Sequence, residues 1–178
     1  MDIRLATSDD LPRFFVYLAR QLKENGADDS VPFQPLSVAE SRLNDEMRTR
    51  FTQGIDKSLQ QSGWSRMLLA FDNEQLVGHI DIRPYQEAHT EHRVLLGMGV
   101  DKSCRGQGIG SQLLNSMFVW AALHTDCEVI DLWLLTENQS AYKLYQRHDF
   151  IQCAQINDMY RIDGRSFGYT MMSRRICS

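Results

Sequence analysis

Several features that would assign this chain to a broad class are missing from its sequence. No apolar stretch approaches the roughly 20 residues that are needed to span a bilayer. The first residues have neither the basic start nor the apolar run of a signal peptide. The net charge is −4, whereas proteins that bind nucleic acids or acidic membranes present basic surfaces. We therefore expect a cytoplasmic protein whose partners include neither a nucleic acid nor a membrane.

Patterns of metal ligands and paired thiols are also missing. The four cysteines, at positions 104, 127, 153 and 177, are scattered without C-x-x-C spacing, which argues against both a zinc site and a disulfide scaffold. Glu87, His89 and His92 stand close together in one loop, but their spacing matches no strong ligand motif. We therefore expect reduced thiols and no metal.

The length and the hydrophobic pattern predict a single domain over residues 1–178. A chain of 178 residues is long enough to bury a sizeable core. Short apolar and alternating runs predict strands, whereas apolar residues at steps of three and four predict helices. The predicted strands are 3–6, 66–71, 76–84, 95–100, 129–135, 150–160 and 166–176, and the predicted helices cover about 11–24, 37–59, 111–122 and 139–147. Asp163-Gly164 predicts a tight hairpin between the last two strands.

One stretch in the middle of the chain organises the rest. Its apolar residues 95–100 predict a strand, a polar and glycine-rich turn follows at 101–110, and helical periodicity begins after the turn. This order places free backbone N–H groups and the positive end of a helix macrodipole at the turn, where both favour phosphate. The glycines of the turn let an anion approach closely, and Arg105 adds a charged donor. We interpret the turn as a site for a pyrophosphate.

Three classes of phosphate ligand use a loop of this kind. A P-loop closes on Gly-Lys-Ser/Thr, whereas Gly110 is followed here by Ser111 and Gln112, with no lysine. A dinucleotide fingerprint has a third glycine where Ser111 stands, and it opens the first strand–helix unit rather than a late one. The third class is suggested only by a resemblance to a known family. A structural turn that binds nothing is the remaining alternative.

Two segments carry a family resemblance. Residues 100–110 are VDKSCRGQGIG, and residues 138–150 are NQSAYKLYQRHDF. The first segment resembles the acyl-CoA motif of the GNAT N-acetyltransferase family, a strand-ending Val and four residues before Arg-Gly-x-Gly-Ile-Gly. The second is similar to the family's Asn-x-x-Ala-x-x-Leu-Tyr-x-x-x-Gly-Phe, except that Asp149 stands where glycine is usual. Because the tail at 163–174 is also similar to small members of the family, the resemblance covers nearly the whole chain.

The resemblance implies a fold. It is an α/β (α+β) arrangement of the GNAT type, a mixed and mostly antiparallel central sheet of six to seven strands flanked by about four helices. In that fold the strand at 95–100 splays from its parallel neighbour and exposes backbone groups to the acyl-CoA. An N–H between Met98 and Val100 would then polarise the thioester carbonyl. Gly97 and Gly99 are compatible with a bulge in this strand, or with room for a large side chain.

The resemblance also implies acetyl-CoA as the acyl donor and assigns site residues. Tyr145 would protonate or hydrogen-bond the departing CoA thiolate, and Asn138 shares its helix face. The residues implied to bind the cofactor are Met98, Gly99, Val100, Arg105, Gly106, Gln107, Gly108, Ile109, Gly110, Ser111, Asn138 and Tyr145. The acceptor amine must lose a proton. Asp81 and Glu91 are the candidate bases, and His79, Glu87 and a water chain stay open.

We therefore expect transfer of an acetyl group from acetyl-CoA to a primary amine of a small molecule or amino acid, by direct attack in a ternary complex. Acetylation of protein N-termini or lysines and a non-catalytic role in CoA binding are the alternatives. The expected partner is a small-molecule amine, and the sequence is compatible with a homodimer. By resemblance, the loop up to Leu36 and the second helix form the wall of the acceptor side.

Overall fold

The computed structural model describes residues 1–176, which form seven strands and four α-helices. The strands are β1 (Asp2–Leu5), β2 (Arg66–Asp72), β3 (Gln75–Pro84), β4 (Arg93–Val100), β5 (Val129–Leu135), β6 (Ile151–Ile162) and β7 (Arg165–Arg175). The helices are α1 (Leu11–Leu22), α2 (Asp45–Ile55), α3 (Ile109–His124) and α4 (Gln139–Arg147). Most elements lie within two residues of their predicted positions, and Cys177 lies outside the described residues.

The strands form one mixed sheet in the order β1-β2-β3-β4-β5-β7-β6. All neighbours pair antiparallel except β4 and β5, which run parallel. That parallel pairing covers only three positions, from Arg93 with Val129 to Leu95 with Asp131. Beyond Leu95 the two strands part, and a gap opens beside the second half of β4. The predicted mixed sheet of six to seven strands, flanked by four helices, is confirmed.

The sheet separates two helical layers because side chains alternate between its faces. Leu68, Ile80 and Ile82 lie on one face and belong to the core cluster that includes α3. Met67 and Leu69 lie on the other face, in the cluster with α1 and α2. The predicted apolar stripes of α1 and α3 therefore pack on opposite sides of the sheet.

Helix α2 differs from its prediction. It begins after Asn44, whose side-chain oxygen accepts a hydrogen bond from the N–H of Met47 at 2.9 Å, and it ends at Ile55. Ser37 caps a separate turn instead, where its N–H and hydroxyl both donate to the Glu40 carboxylate. The predicted span of 37–59 is wrong because the apolar spacing continues past both ends of the helix, whereas capping chemistry sets its start.

Two tight backbone positions are as predicted. Asp163 and Gly164 have φ angles of 47° and 75°, which makes the link between β6 and β7 a two-residue turn of the kind that favours hairpins. Asp149, which follows the C-terminus of α4, has a φ of 61°. This left-handed conformation explains why the family usually has glycine there, and aspartate adopts it more readily than most residues.

Two further observations concern the described part of the chain as a whole. Among residues 1–176, no helix combines the length and the apolar character that crossing a bilayer requires. Cys104, Cys127 and Cys153 are free thiols.

Candidate active site

The loop between β4 and α3 presents an open concave backbone. Gly106 and Gly108 have φ angles of 78° and 83°, in the left-handed region that favours glycine. Gly108 is the N-cap of α3, and no side chain caps that helix end. A Cβ added at either glycine would meet no atom within 4 Å, so both positions face open space.

Six consecutive N–H groups of this loop lack a partner. Those from Gly106 to Ser111 donate to no acceptor within residues 1–176, and the next one, of Gln112, donates to the Gly108 carbonyl at 3.1 Å. The row ends at the N-terminus of α3, a helix of 16 residues whose macrodipole adds positive potential. The arrangement fits an anion such as a diphosphate. Ile109 contributes only its backbone, since its side chain is buried in the core.

Two side chains hold this loop in shape. Arg105 donates from Nε to the Val100 carbonyl at 3.0 Å and from Nη2 to the Glu24 carboxylate at 2.9 Å. The Gln107 amide donates to the Ser103 carbonyl at 3.1 Å, which keeps its side chain on the loop. Arg105 was predicted to contact phosphate directly. In the structure part of its guanidinium is already paired, and the side chain is 45% exposed.

The second half of β4 offers further backbone donors. The Asp101 N–H donates to the Val77 carbonyl at 2.8 Å. Because donors alternate sides along an antiparallel ladder, the N–H groups of Met98 and Val100 point away from β3. They point into the gap, since β5 pairs with β4 no further than Leu95. This is where the sequence predicted an N–H that faces the thioester.

Helix α4 packs against the start of α3 and the second half of β4. A Cβ added at Gly110 would lie 2.9 Å from Leu144 Cδ2 and 3.7 Å from Met98 Cε, so α3, α4 and β4 converge there. Tyr145 follows Leu144 and is 7% exposed. Burial alone raises the pKa of its hydroxyl, so the phenol is protonated at neutral pH and is able to donate. The Asn138 side chain caps α4, as predicted, by accepting from the Ala141 N–H at 3.3 Å.

Gly97 and Gly99 make room for two polar side chains of β3. A Cβ at Gly97 would lie 2.8 Å from Asp81 Oδ1, and a Cβ at Gly99 would lie 2.7 Å from His79 Cε1. The register between β3 and β4 is continuous from Gly78 to Pro84. The expected bulge is therefore wrong for this strand pair, and the alternative of room for a large side chain is correct.

His79 lies in a buried polar group beneath α1. Its Nδ1 is 3.3 Å from the Tyr17 hydroxyl, which donates to the Gly99 carbonyl at 2.9 Å. Burial lowers the pKa of His79 to about 4 and raises the pKa of Tyr17. The Gln21 amide nitrogen is buried beside them without a hydrogen-bond partner among residues 1–176. The sequence analysis missed Tyr17 and Gln21, although their spacing of four residues places them on one face of α1.

The two candidate bases lie apart. Asp81 is 2% exposed. Its side chain faces Gly97, which lies two residues beyond the last β4 residue that pairs with β5. Glu91 is exposed in the loop before β4, where its carboxylate accepts from the His89 N–H at 3.2 Å. That loop precedes the N-terminal end of β4, whereas the gap opens at its C-terminal end. The structure thus places Asp81 over the part of β4 that borders the gap and leaves Glu91 away from it.

Asp81 has two basic neighbours, neither of which was proposed as a site residue from the sequence. Arg50 Nη2 lies 3.3 and 3.4 Å from the two carboxylate oxygens, and Arg83 Nη1 lies 3.5 Å from one of them. Arg83 alternates with Asp81 along β3, so its position was readable from the strand pattern. Arg50 comes from α2, and only the tertiary fold places it there. Within residues 1–176, no group of three or more histidine, cysteine, aspartate or glutamate side chains is placed to hold a metal ion.

Comparison with known proteins identifies the family and the fold. The family model of the acetyltransferase (GNAT) family matches residues 35–150. The chain belongs to this family. Acetyltransferase PseH of Campylobacter jejuni is 24% identical over 125 residues, which are 67% of this chain and 76% of PseH. N-alpha-acetyltransferase 60 of Danio rerio is 35% identical over 77 residues, which are 42% of this chain and 32% of that protein.

Solved GNAT structures superpose over nearly the whole chain. An acetyltransferase of the GNAT family from Streptococcus pneumoniae has a TM-score of 0.81 at 25% identity and covers 99% of both chains. The yncA protein of Salmonella typhimurium, solved with its cofactor acetyl-CoA, has a TM-score of 0.79 at 16% identity and covers 100% of this chain and 95% of its own. The expected family is confirmed, and this GNAT protein is an acyltransferase.

Proposed function

We propose that this GNAT protein transfers an acetyl group from acetyl-CoA to the primary amine of a small molecule or amino acid. The row of six free N–H groups from Gly106 to Ser111 carries the proposal. It offers an anion site at the end of α3, beside the gap between β4 and β5. Acetyl-CoA, which is bound by the yncA structure, combines a diphosphate with a thioester that is reactive toward amines.

The residues of this chain have separate parts in binding the donor. The N–H groups of Gly106 to Ser111 bind the diphosphate, with Arg105 and Gln107 keeping the loop in shape. The N–H groups of Met98 and Val100 point into the gap and bind the thioester carbonyl, where they stabilise negative charge as the amine attacks. Asn138 orders the start of α4, which carries Tyr145.

Two residues move protons. As the new C–N bond forms and the C–S bond breaks, the Tyr145 hydroxyl donates its proton to the leaving sulfur and is reprotonated from solvent. The raised pKa of Tyr145 keeps that proton available at neutral pH. Asp81 accepts the amine proton through a water molecule, since it lies at Gly97 beside the gap. The location of Glu91 gives it no contact with these groups, so we assign it no step.

Binding and turnover measured together test this proposal. Isothermal titration with acetyl-CoA should give a saturable heat, and a thiol-release assay should show CoA release that depends on an added primary amine. Binding without turnover on any amine would instead support a regulator that binds CoA without catalysis. Absence of binding would overturn the assignment of the loop.

A second acceptor class is supported by one comparison. The 35% identity with N-alpha-acetyltransferase 60 of Danio rerio covers 77 residues and favours the free N-terminus of a protein as acceptor. Peptides with free and with blocked N-termini, assayed beside small amines, separate the two classes. Acetylation of the free peptide alone would replace the small-molecule proposal.

We also propose a cytoplasmic location. The free thiols of Cys104, Cys127 and Cys153 are consistent with the cytoplasmic location expected from the sequence. The homodimer that the sequence allows stays a prediction. Cell fractionation and sedimentation equilibrium test these two points.

A further inference from the structure

Two arginines share one buried carboxylate on the acceptor side of the sheet. The Asp81 side chain is 3% exposed, whereas the side chains of Arg50 and Arg83 are 41% and 33% exposed. Among the side chains that the structure describes, neither arginine has another carboxylate within 4 Å. The cluster therefore carries one net positive charge, and its cationic groups are the part that solvent reaches.

Most N–H groups of the two guanidinium groups make no short hydrogen bond within this cluster. The three N···O distances from Arg50 and Arg83 to Asp81 are 3.3, 3.4 and 3.5 Å. The N···O distances in a well-formed guanidinium–carboxylate pair are shorter, about 2.7–2.9 Å. Arg93 and Asp131 form such a pair, with distances of 2.8 and 2.7 Å. One arginine suffices to neutralise one carboxylate. The second cation and the loose geometry leave N–H groups free for another anion.

The cluster lies beside the reacting position. Asp81 Oδ1 is 2.8 Å from where a Cβ of Gly97 would lie, one residue before the Met98 N–H that faces the gap. Arg50 approaches from α2, on the sheet face opposite to α3. An anionic group held by Arg50 and Arg83 would therefore lie beside the segment of β4 whose N–H groups are proposed to bind the thioester.

An aromatic surface borders the cluster. Trp133 of β5 and Tyr169 of β7 stack with ring centroids 4.8 Å apart. Arg83 pairs with Leu95, and Leu95 pairs with Asp131. Because side chains alternate along a strand, Trp133, two residues beyond Asp131, lies on the same face of the sheet as Arg83. The acceptor side thus combines a cationic pair with a flat apolar wall.

We propose that Arg50 and Arg83 form a subsite for a carboxylate of the acceptor, so that the acceptor is a primary amine that also carries a carboxylate. This inference rests on the proposed acetyl transfer. A guanidinium pair presents parallel donors to the two oxygens of a carboxylate, which suits it better than a neutral group. The carboxylate then anchors the molecule while its amine faces Met98.

Matched acceptors test the subsite directly. Phenylalanine and phenethylamine differ only by the carboxylate, and both carry a ring for the aromatic wall. We expect kcat/KM for phenylalanine to exceed that for phenethylamine at least tenfold, mainly through KM. Equal values for the two, or a preference for the amine without the carboxylate, would overturn the subsite. Preference for O-phosphoethanolamine over both would replace the carboxylate with a phosphate.

Variants separate a binding role from a structural one. Arg50→Gln and Arg83→Gln should each raise KM for phenylalanine at least tenfold more than KM for phenethylamine. Arg48→Gln is the matched control, because Arg48 lies on the same helix over the Phe15 ring and away from Asp81. A purely structural pair would instead lower the unfolding temperature and change both KM values equally, which would contradict the inference.

A binding measurement makes the inference independent of turnover. 3-Phenylpropionate cannot be acetylated, and it should raise the unfolding temperature of the parent protein but not of Arg50→Gln, whereas 3-phenylpropanol should have no effect. This pattern without any acetyl transfer would support the carboxylate subsite and refute the proposed reaction. Acetyl transfer without this pattern would support the reaction and refute the subsite.

Discussion

The Arg93 guanidinium of β4 binds the buried Asp131 carboxylate of β5 through two hydrogen bonds, 2.8 Å from Nε and 2.7 Å from Nη2. The same carboxylate accepts from the Tyr85 hydroxyl at 3.0 Å. Leu95 and Asp131 form the last paired position of the two strands. The ion pair therefore lies next to the point at which the gap between β4 and β5 opens.

Removing one partner of this pair should be costly. Arg93→Met leaves the Asp131 carboxylate buried with only Tyr85 and neighbouring hydroxyls, and we expect a loss of about 3 kcal/mol in the free energy of unfolding. Urea denaturation measures it. Arg175→Met is the control, because Arg175 and Glu128 are 3.8 Å apart and 80% and 64% exposed. That change should cost less than about 0.5 kcal/mol, and equal losses for both variants would contradict the prediction.

Two glycines with open surroundings, Gly108 and Gly164, give a matched pair for the diphosphate site. Gly108→Ala should lower acetyl-CoA affinity at least tenfold, because the methyl group projects into the concave loop and the φ of 83° disfavours alanine. Gly164→Ala, with a φ of 75° and equally open surroundings, carries the same backbone strain in the distant β6–β7 turn. Both variants should lose about 1 kcal/mol of stability. Isothermal titration should show weaker binding for Gly108→Ala alone.

Tyr145→Phe removes the proposed acid and keeps the ring. We expect kcat to fall at least tenfold, in line with the loss of a positioned proton donor, while the dissociation constant of CoA changes less than twofold. Tyr142→Phe, on the same helix, is the control and should leave kcat unchanged. An unaltered kcat for Tyr145→Phe would refute the assigned role.

The buried His79 should make stability fall in acid. Its pKa of about 4 in the folded protein lies below the usual 6.5, so the unfolded chain binds more protons between these two values. Stability is therefore full above pH 6.5 and is lost as the pH falls toward 4, by on the order of 2–3 kcal/mol. Urea midpoints at pH 7 and pH 4.5 measure this loss. His79→Gln should reduce it, whereas the exposed control His92→Gln should not.

Local chemistry made much of the fold predictable. The run of residues that became β5 was placed at Val129–Leu135 without error, because a strand buried on both faces is almost entirely apolar, with Asp131 as the one exception here. The loop before α3 was predictable because its glycines allow a local backbone conformation that does not depend on contacts with distant residues. Asp163-Gly164 was equally clear, since both residues tolerate a positive φ.

Tertiary contacts account for what the sequence did not reveal. Arg50 lies on a helix whose own pattern gives no reason to single it out, and it reaches Asp81 only when α2 packs on the sheet. The bulge expected at Gly97 and Gly99 was wrong. Both positions need glycine because the side chains of Asp81 and His79 on the neighbouring strand occupy the space of a Cβ. The role of a glycine in a strand depends on its cross-strand partner, which no single segment specifies.

A contact outside the Gly106–Ser111 loop bounds the proposed acceptor side. The Val38 N–H donates to the Asp163 carboxylate at 2.9 Å, which joins the segment between α1 and α2 to the turn between β6 and β7. Pro32, Leu36 and Phe167 line a cavity of about 200 Å³ at this junction. Neither segment includes the residues that would bind coenzyme A. We therefore expect that insertions or deletions in this bridge can change which acceptor is used during evolution, while the residues proposed to bind the donor stay the same.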